Sequence, residues 1–254
     1  MKLLRWCSTI FIFLSAAFTA RAQALEALEY ERVLYEGAEP ARANQALIGR
    51  ARCLIELERY ADAIDALDRI RLFALPAEDA PEVHRLQALA RFRSGDWPSA
   101  AAYLQEGFPE GAESDMLRVL ILAAVHNYTD ALQAALAIAP HKSAELESLF
   151  AKAPKQKNET TAAMLSLLPP LGHLYLGSGK WPAVTLTSYA GAALAAWQIV
   201  EGNYLTAILG GGLLLNASYM EHNIAQMPAL TAEANRSATE KFLASLEELL
   251  REGK

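Results

Sequence analysis

The residues that could carry chemistry are few and scattered. Five histidines (His84, His126, His141, His173 and His222) are spread along the chain, with no H-E-x-x-H and no pairing at metal-ligand spacing. His222 follows Glu221, and a fold-back could bring both to His173 and Tyr175, but packing at an interface is the simpler use of those side chains. No G-x-S-x-G, phosphate loop or Ser/Lys dyad pattern is present. Gly210-Gly211-Gly212 lies inside an apolar run, where close packing or a kink calls for glycine more than a phosphate does. The expectation is a non-enzyme without a catalytic residue, metal or cofactor.

Cysteine chemistry is equally sparse. Cys7 falls in the apolar N-terminal stretch, and no Leu-Ala-Gly-Cys type lipobox accompanies it. Cys53 is then the one thiol left, too few for an internal disulfide or a metal pair. Its neighbours Ala51, Leu54 and Ile55 make it a small buried hydrophobe. The net charge of −6 and pI of about 5.5 give no sign of the clustered Lys/Arg surface that nucleic acid needs.

With no constellation to position, the elements themselves carry the information. Ala and Leu dominate the 254 residues while Gly and Pro gather in a few places, which favours helix over strand. Residues 1–22 read as a signal peptide: Lys2 and Arg5 form a basic start, Ile10–Ala20 an apolar run, and Ala20-Arg21-Ala22 a small-x-small cut site before Gln23. An uncleaved anchor is the competing reading, and either one exports the residues beyond it.

Residues 23–150 carry a recurring pattern. An apolar-periodic helix meets a short turn with an aromatic residue, and a second helix opens on alanine three residues later. The pairs are Tyr60 with Ala63, Trp97 with Ala100, and Tyr128 with Ala131, at intervals of 37 and 31 residues. These bracket the period of about 34 residues of tetratricopeptide repeats. Ala51, Ala63, Ala88 and Ala100 would let the two helices of a unit approach closely, and the aromatic would plug the gap beside the turn. A single unit cannot bury its apolar face, so several must stack. This half of the chain resembles the tetratricopeptide family in degenerate form. The family's first-helix Trp is absent, Arg91 stands where an apolar residue is usual, and Pro76 and Pro140 fall near the repeat-ending proline. An earlier half-unit, Leu25–Glu36, could cap the stack; an irregular helical bundle is the alternative.

Residues 151–161 (AKAPKQKNETT) read as a linker. From 162 to 227 the composition turns apolar, with charge-free helices expected at about 182–200 and 204–220, each near the ~20 residues that cross a bilayer. The short EGNY link makes them a hairpin. Gly191 with Ala195, Ala192 with Ala196, and Gly212 with Asn216 give faces that pack closely in lipid. Gln198 and Asn216 would form an intramembrane polar pair. Trp181, Trp197, Tyr204 and Tyr219 lie at depths where aromatic residues anchor. A buried soluble hairpin is the alternative.

Before this hairpin stands Leu168-Pro169-Pro170-Leu171-Gly172-His173-Leu174-Tyr175-Leu176-Gly177. Over residues 166–227 the chain resembles the small two-helix membrane domains with a Pro-Gly-x-Gly-Gln-x-Tyr-x-Gly element, found on bacterial envelope proteins and without assigned chemistry. Pro169, Gly172, Tyr175 and Gly177 match that element, while Pro170 replaces its glycine and His173 its glutamine. His173 to Gly177 lean toward a related family with Gly-x-x-His-x-Phe-Tyr-Leu-Gly, whose acidic loop motif is missing here. The resemblance implies a cap on the hairpin, with His173 and Tyr175 at headgroup level.

Residues 228–254 form an amphipathic helix, with Leu243, Leu246, Leu249 and Leu250 on one side and Glu240, Lys241, Glu247 and Glu248 mostly opposite. Lys152, Lys155, Lys157 and Lys180 on the repeat side of the hairpin would favour cytoplasmic repeats, against the leader. The leader commits the chain first, so the expected location is the bacterial inner membrane with periplasmic repeats; cytoplasmic repeats are the alternative. The sequence therefore predicts an all-α scaffold holding an envelope protein or peptide in its groove, touching the lipid bilayer, binding no nucleic acid and open to homo-oligomerisation. A hairpin that oligomerises or handles a lipid or ion under control of the repeats is the second expectation.

Overall fold

The computed structural model describes residues 21–34, 36–37, 39–168, 171–179, 181–212 and 225–251. Its regular elements are helices, with no β-strand among the described residues. The chain divides into two compact units, residues 1–150 with 247–254, and residues 151–246. Residues 1–20 of the expected leader lie outside the described residues, and residues 21–22 begin the first helix.

In the first unit, helix α1 (21–34) is followed by α2 (Pro40–Glu56) and α3 (Tyr60–Asp68), then α4 (Ala80–Ser94) and α5 (Trp97–Ala102). Next come α6 (Ala112–Ala124), α7 (Tyr128–Ile138) and α8 (Ser143–Ala151). Within each pair α2–α3, α4–α5 and α6–α7 the helices pack together, and the leading helices touch in succession, α2 with α4 and α4 with α6.

The three pairs turn in the same way. At each junction a residue one or two places beyond the helix end adopts a left-handed conformation: Glu58 (φ 58°), Gly95 (φ 86°) and His126 (φ 62°). Its N–H donates to Ile55, Phe92 or Ala123, and the following N–H reaches one residue further back, to Leu54, Arg91 or Leu122, at 2.8–3.1 Å. This is the Schellman closure, which satisfies carbonyls that a helix end would leave bare. The chain leaves the turn already aimed into the next helix, so Tyr60, Trp97 and Tyr128 each begin one. Ala63, Ala100 and Ala131, one turn on, are all fully buried, as are Ala51 and Ala88 on the leading helices. A larger side chain at any of these places would push the two helices apart.

Leu47, Leu54, Leu67, Val83 and Leu86 fill the core between the first two pairs. Helix α1 seats Tyr30 against Gly49 of α2, where an added Cβ would come within 2.5 Å of the ring. Arg50 pairs with Glu31 at 2.8 Å.

In the second unit, α9 (Glu159–Leu165) is capped by Asn158, whose side-chain Oδ1 accepts from the Thr161 N–H at 3.0 Å. Then come α10 (Leu171–Leu176), α11 (Trp181–Val200) and the short α12 (Tyr204–Thr206), which runs into a π-helical segment, Ala207–Gly212. The final helix, α13 (Met227–Arg251), supplies Met227 and Leu230 to a core shared with Ala162 and Leu176. Its last turn, from Glu247, belongs to the first unit, where Arg93 pairs with Glu247 at 3.0 Å and Lys142 donates to the Leu249 carbonyl at 2.8 Å. Phe242, Leu243, Leu246 and Leu250 are buried along one side of it, and Glu240, Lys241 and Glu248 are exposed.

The transmembrane hairpin expected at 182–200 and 204–220 is not supported: among the described residues, no helix is long and apolar enough to cross a membrane. Charge is absent from the 20 residues of α11. The second helix changes to π geometry at Ala207, and residues 213–220 lie outside the described residues.

Candidate functional site

In the first unit the candidate site grows from Arg91, the residue out of place in the sequence pattern. On the last turn of α4 its side chain is 12% exposed, and its guanidinium donates to both carboxylate oxygens of Asp68 at 2.8 and 3.0 Å. The same group lies over the Tyr103 ring, 5.1 Å from its centre. Tyr103 in turn faces His84 with ring centres 6.2 Å apart. An arginine tolerates this site because its stem packs on apolar neighbours while the planar head stacks and pairs.

Around these residues is a cleft of about 350 Å³ lined by Asp68, Leu72, His84, Gln87, Tyr103 and Glu106. A second cleft of about 450 Å³, lined by Glu31, Arg50, Asp62, Asp65, Asp68 and Arg69, shares the Asp68 wall. Leu72 and Phe73, in the turn after α3, stand 62% and 85% exposed beside the first cleft. Aromatic and aliphatic surface flanked by carboxylates suits side chains of a partner that are apolar or basic. No nucleophile sits beside a base here, and among the described residues no cluster of His, Cys, Asp or Glu could hold a metal ion. Sequence reasoning weighed His84 only as one of five scattered histidines and singled out neither Tyr103 nor Asp68. The one signal was Arg91 at an apolar position, which requires an acidic partner brought near by the fold.

The repeat-packing residues of the sequence pattern do not line these clefts. Tyr60, Trp97 and Tyr128 are half-buried at helix starts, and the alanines beneath them are sealed. His126 Nδ1 lies 2.7 Å from the Tyr128 hydroxyl. Burial pushes the imidazole of His126 below its ordinary pKa and the phenol of Tyr128 above its own. Cys53 is buried, which raises its thiol pKa and suits a packing role.

In the second unit the motif residues act on the fold. Gly172 is buried where α10 crosses α9; an added Cβ would run into the Ser166 hydroxyl and come within 2.7 Å of the Ala162 carbonyl oxygen. His173 is 1% exposed, so its ring is an interior group of this unit. The Tyr175 hydroxyl accepts from the Asn158 N–H at 3.1 Å, and the Lys157 ammonium lies 5.8 Å from the ring centre. Gly177, at φ 71°, closes α10: its N–H donates to Leu174 and that of Ser178 to His173. Pro169 and His222 lie outside the described residues. So does Asn216, which the sequence pattern pairs with Gln198; Gln198 is half-buried on α11.

Helix α11 is built inside out. Ser188, Gly191, Ala195 and Gln198, at helical spacing, form its least exposed side, and the helix packs against the π segment. Leu186, Tyr189, Leu194, Trp197 and Val200 are exposed, as are Tyr204, Leu205, Ile208 and Leu209 beyond the turn. A helix in water places its large apolar side chains the other way round.

No protein-family model matches the chain, and no curated protein or solved structure matches it. The functional reading rests on this chain's own residues.

Proposed function

We propose that the chain is a non-enzymatic scaffold of tetratricopeptide-like repeats, held at a bilayer in the bacterial envelope by its apolar second unit. The observation that carries the reading is the same left-handed turn, aromatic helix start and sealed alanine in three successive helix pairs. A unit of this kind repeats in order to present a continuous surface to a partner. The clefts on either side of Asp68, with Leu72 and Phe73 exposed at the edge, are where an extended segment of a partner protein docks. The outward apolar side chains of α11 and α12 support bilayer contact, by insertion, without requiring either helix to span. The export leader favours periplasmic repeats.

The test is protease treatment of intact cells and spheroplasts, followed with an antibody against the repeats, together with a photo-crosslinking residue at Phe73. Digestion only in spheroplasts, with discrete crosslinked products from Phe73 and none from the exposed control position Glu248, is the expected result. Protection in spheroplasts would move the repeats to the cytoplasm. Equal crosslinking from both positions would remove the docking role of the clefts.

The inverted α11 favours a second reading, in which the membrane-facing unit itself oligomerises or handles a lipid or ion and the repeats regulate it. Single-molecule counting of subunits in detergent-free membrane particles separates the two: one copy per particle opposes oligomerisation.

A further inference from the structure

The second unit contains a cleft of about 490 Å³ in which six lining residues are Gly, Ala or Ser, beside Leu176, Leu230 and three charged residues. One wall is Gly177-Ser178-Gly179, directly after α10. The other is a stripe of α13, Leu230, Ala234, Ser237 and Ala238, at helical spacing. Small residues on both sides keep the space open where ordinary side chains would close it. Two ammonium groups border it, Lys157 and Lys241, and one carboxylate, Glu233.

The placement of these charges selects a ligand. Lys157 Nζ lies 3.9 Å from where a Gly177 side chain would begin, so it overhangs the glycine wall. Its backbone is pinned in place, since the Lys157 N–H donates to Asn235 Oδ1 at 2.8 Å and its carbonyl accepts from Asn235 Nδ2 at 3.0 Å. Neither Lys157 nor Lys241 makes an ion pair among the described residues. Lys241 is two helical turns from Glu233, about 12 Å along α13, so the carboxylate does not neutralise that end. Ser237 sits between them. The hydroxyls of Ser166, Thr239 and Ser245 each donate to the carbonyl four residues back in their own helices. The Ser237 hydroxyl makes no such bond among the described residues and lines the cleft. The N–H groups of Gly177 and Ser178 already close α10, so an anion here is held by side chains: Lys157, Ser237 and Lys241.

We propose that this cleft binds a phosphate group presented by an anionic lipid headgroup. The chain passes from Gly179 into α11 two residues later, so the cleft opens at the root of the apolar helix that meets the bilayer under the proposed function, on which this proposal rests. Tetrahedral oxygens suit one ammonium group over the glycine wall, Lys157, and a hydroxyl and second ammonium one turn apart on α13, Ser237 and Lys241.

The experiment measures binding of the full chain to phosphatidylcholine vesicles with and without phosphatidylglycerol. Wild type is expected to prefer the anionic vesicles. Lys241→Gln and Lys157→Gln each lower that preference about fivefold, the effect of one lysine near an anionic surface. Ser237→Leu fills the cleft without changing charge and lowers the preference too, while Lys155→Gln, on the linker outside the cleft, has a smaller effect. Binding to neutral vesicles is unchanged in all four. If Lys155→Gln matches Lys241→Gln and Ser237→Leu has no effect, the attraction is diffuse and the proposal is overturned; Lys241 is exposed, so its variant tests the cleft even if Ser237→Leu fails to fold. If wild type binds neither vesicle, the bilayer reading fails, and inorganic phosphate decides the cleft. A phosphate-dependent rise in Tm that Lys241→Gln abolishes assigns it to free phosphate, and equal Tm values in both proteins overturn it.

Discussion

Asn44 holds Arg71 by both polar groups of its backbone. The Asn44 amide donates to the Arg71 carbonyl at 2.8 Å, and its oxygen accepts from the Arg71 N–H at 2.9 Å. Asn44 is itself 1% exposed, on α2, while Arg71 lies in the irregular turn after α3. The turn that presents Leu72 and Phe73 is therefore fastened to the leading helix of the pair. Asn235 does the same for Lys157 in the second unit. Asn44→Ala removes both bonds and is expected to cost about 1–3 kcal/mol. Hydrogen exchange checks the mechanism, because the Arg71 amide should lose protection more than amides of the α2 and α3 helices do.

Gly172 has no room for a methyl group. The obstruction is the buried Ser166 side chain, itself fixed by a 2.8 Å bond to the Ala162 carbonyl, and that carbonyl oxygen as well. Gly172→Ala is expected to separate α9 from α10 and to destabilise the second unit by about 1–3 kcal/mol, despite alanine's better helix propensity. Thermal unfolding of the single variant and of Gly172→Ala with Ser166→Ala tests the cause. Partial rescue in the double variant is expected, since the Ala162 carbonyl remains.

Glu58 occupies a left-handed position that glycine fills at the next turn. The conformation costs an ordinary residue about 1–2 kcal/mol, and glycine gives back about 0.5–1 kcal/mol through its freer unfolded chain. Glu58→Gly should therefore stabilise the protein by about 0.5–1 kcal/mol, read as a raised Tm. An unchanged or lowered Tm would mean that the exposed Glu58 side chain contributes more than its geometry indicates.

Glu82 links the first two pairs and makes them sensitive to acid. It receives hydrogen bonds from Arg85 at 2.8 and 2.9 Å and from Arg52 of α2 at 3.1 Å. Burial alone would raise its pKa, but the bonds and charge of Arg85, then of Arg52, outweigh that and hold it below the ordinary 4.5. A carboxyl depressed on folding stabilises fully above its unfolded pKa and loses that contribution as pH falls through the folded value. Stability should thus decline below about pH 4.5, and Glu82→Gln should flatten that decline while lowering stability at neutral pH. Denaturant unfolding of both proteins across this range measures it.

Much of the first unit was legible in the sequence because its determinants are local. The aromatic-x-x-Ala element marks a helix start and its buried first turn, and each lies within five residues of the turn that sets it up. The left-handed residue was visible only at Gly95; Glu58 and His126 hide the same geometry behind ordinary side chains. The apolar run of α11 was legible too, while no helix among the described residues is long and apolar enough to cross a membrane.

By itself the sequence determined an all-α chain and a helix-turn-helix pattern recurring in its first half, because periodicity and turn chemistry act over a few residues. The tertiary structure alone decided what joins distant residues. Asp68 came to Arg91, Asn44 to Arg71 and Asn235 to Lys157 across separations of 23, 27 and 78 residues. It also buried His173, gave Gly172 its purpose, and left a cleft open between a glycine turn and a stripe of small residues. Side chains this far apart in the chain meet only once helices pack, and the choice of partner is a property of that packing rather than of either neighbourhood.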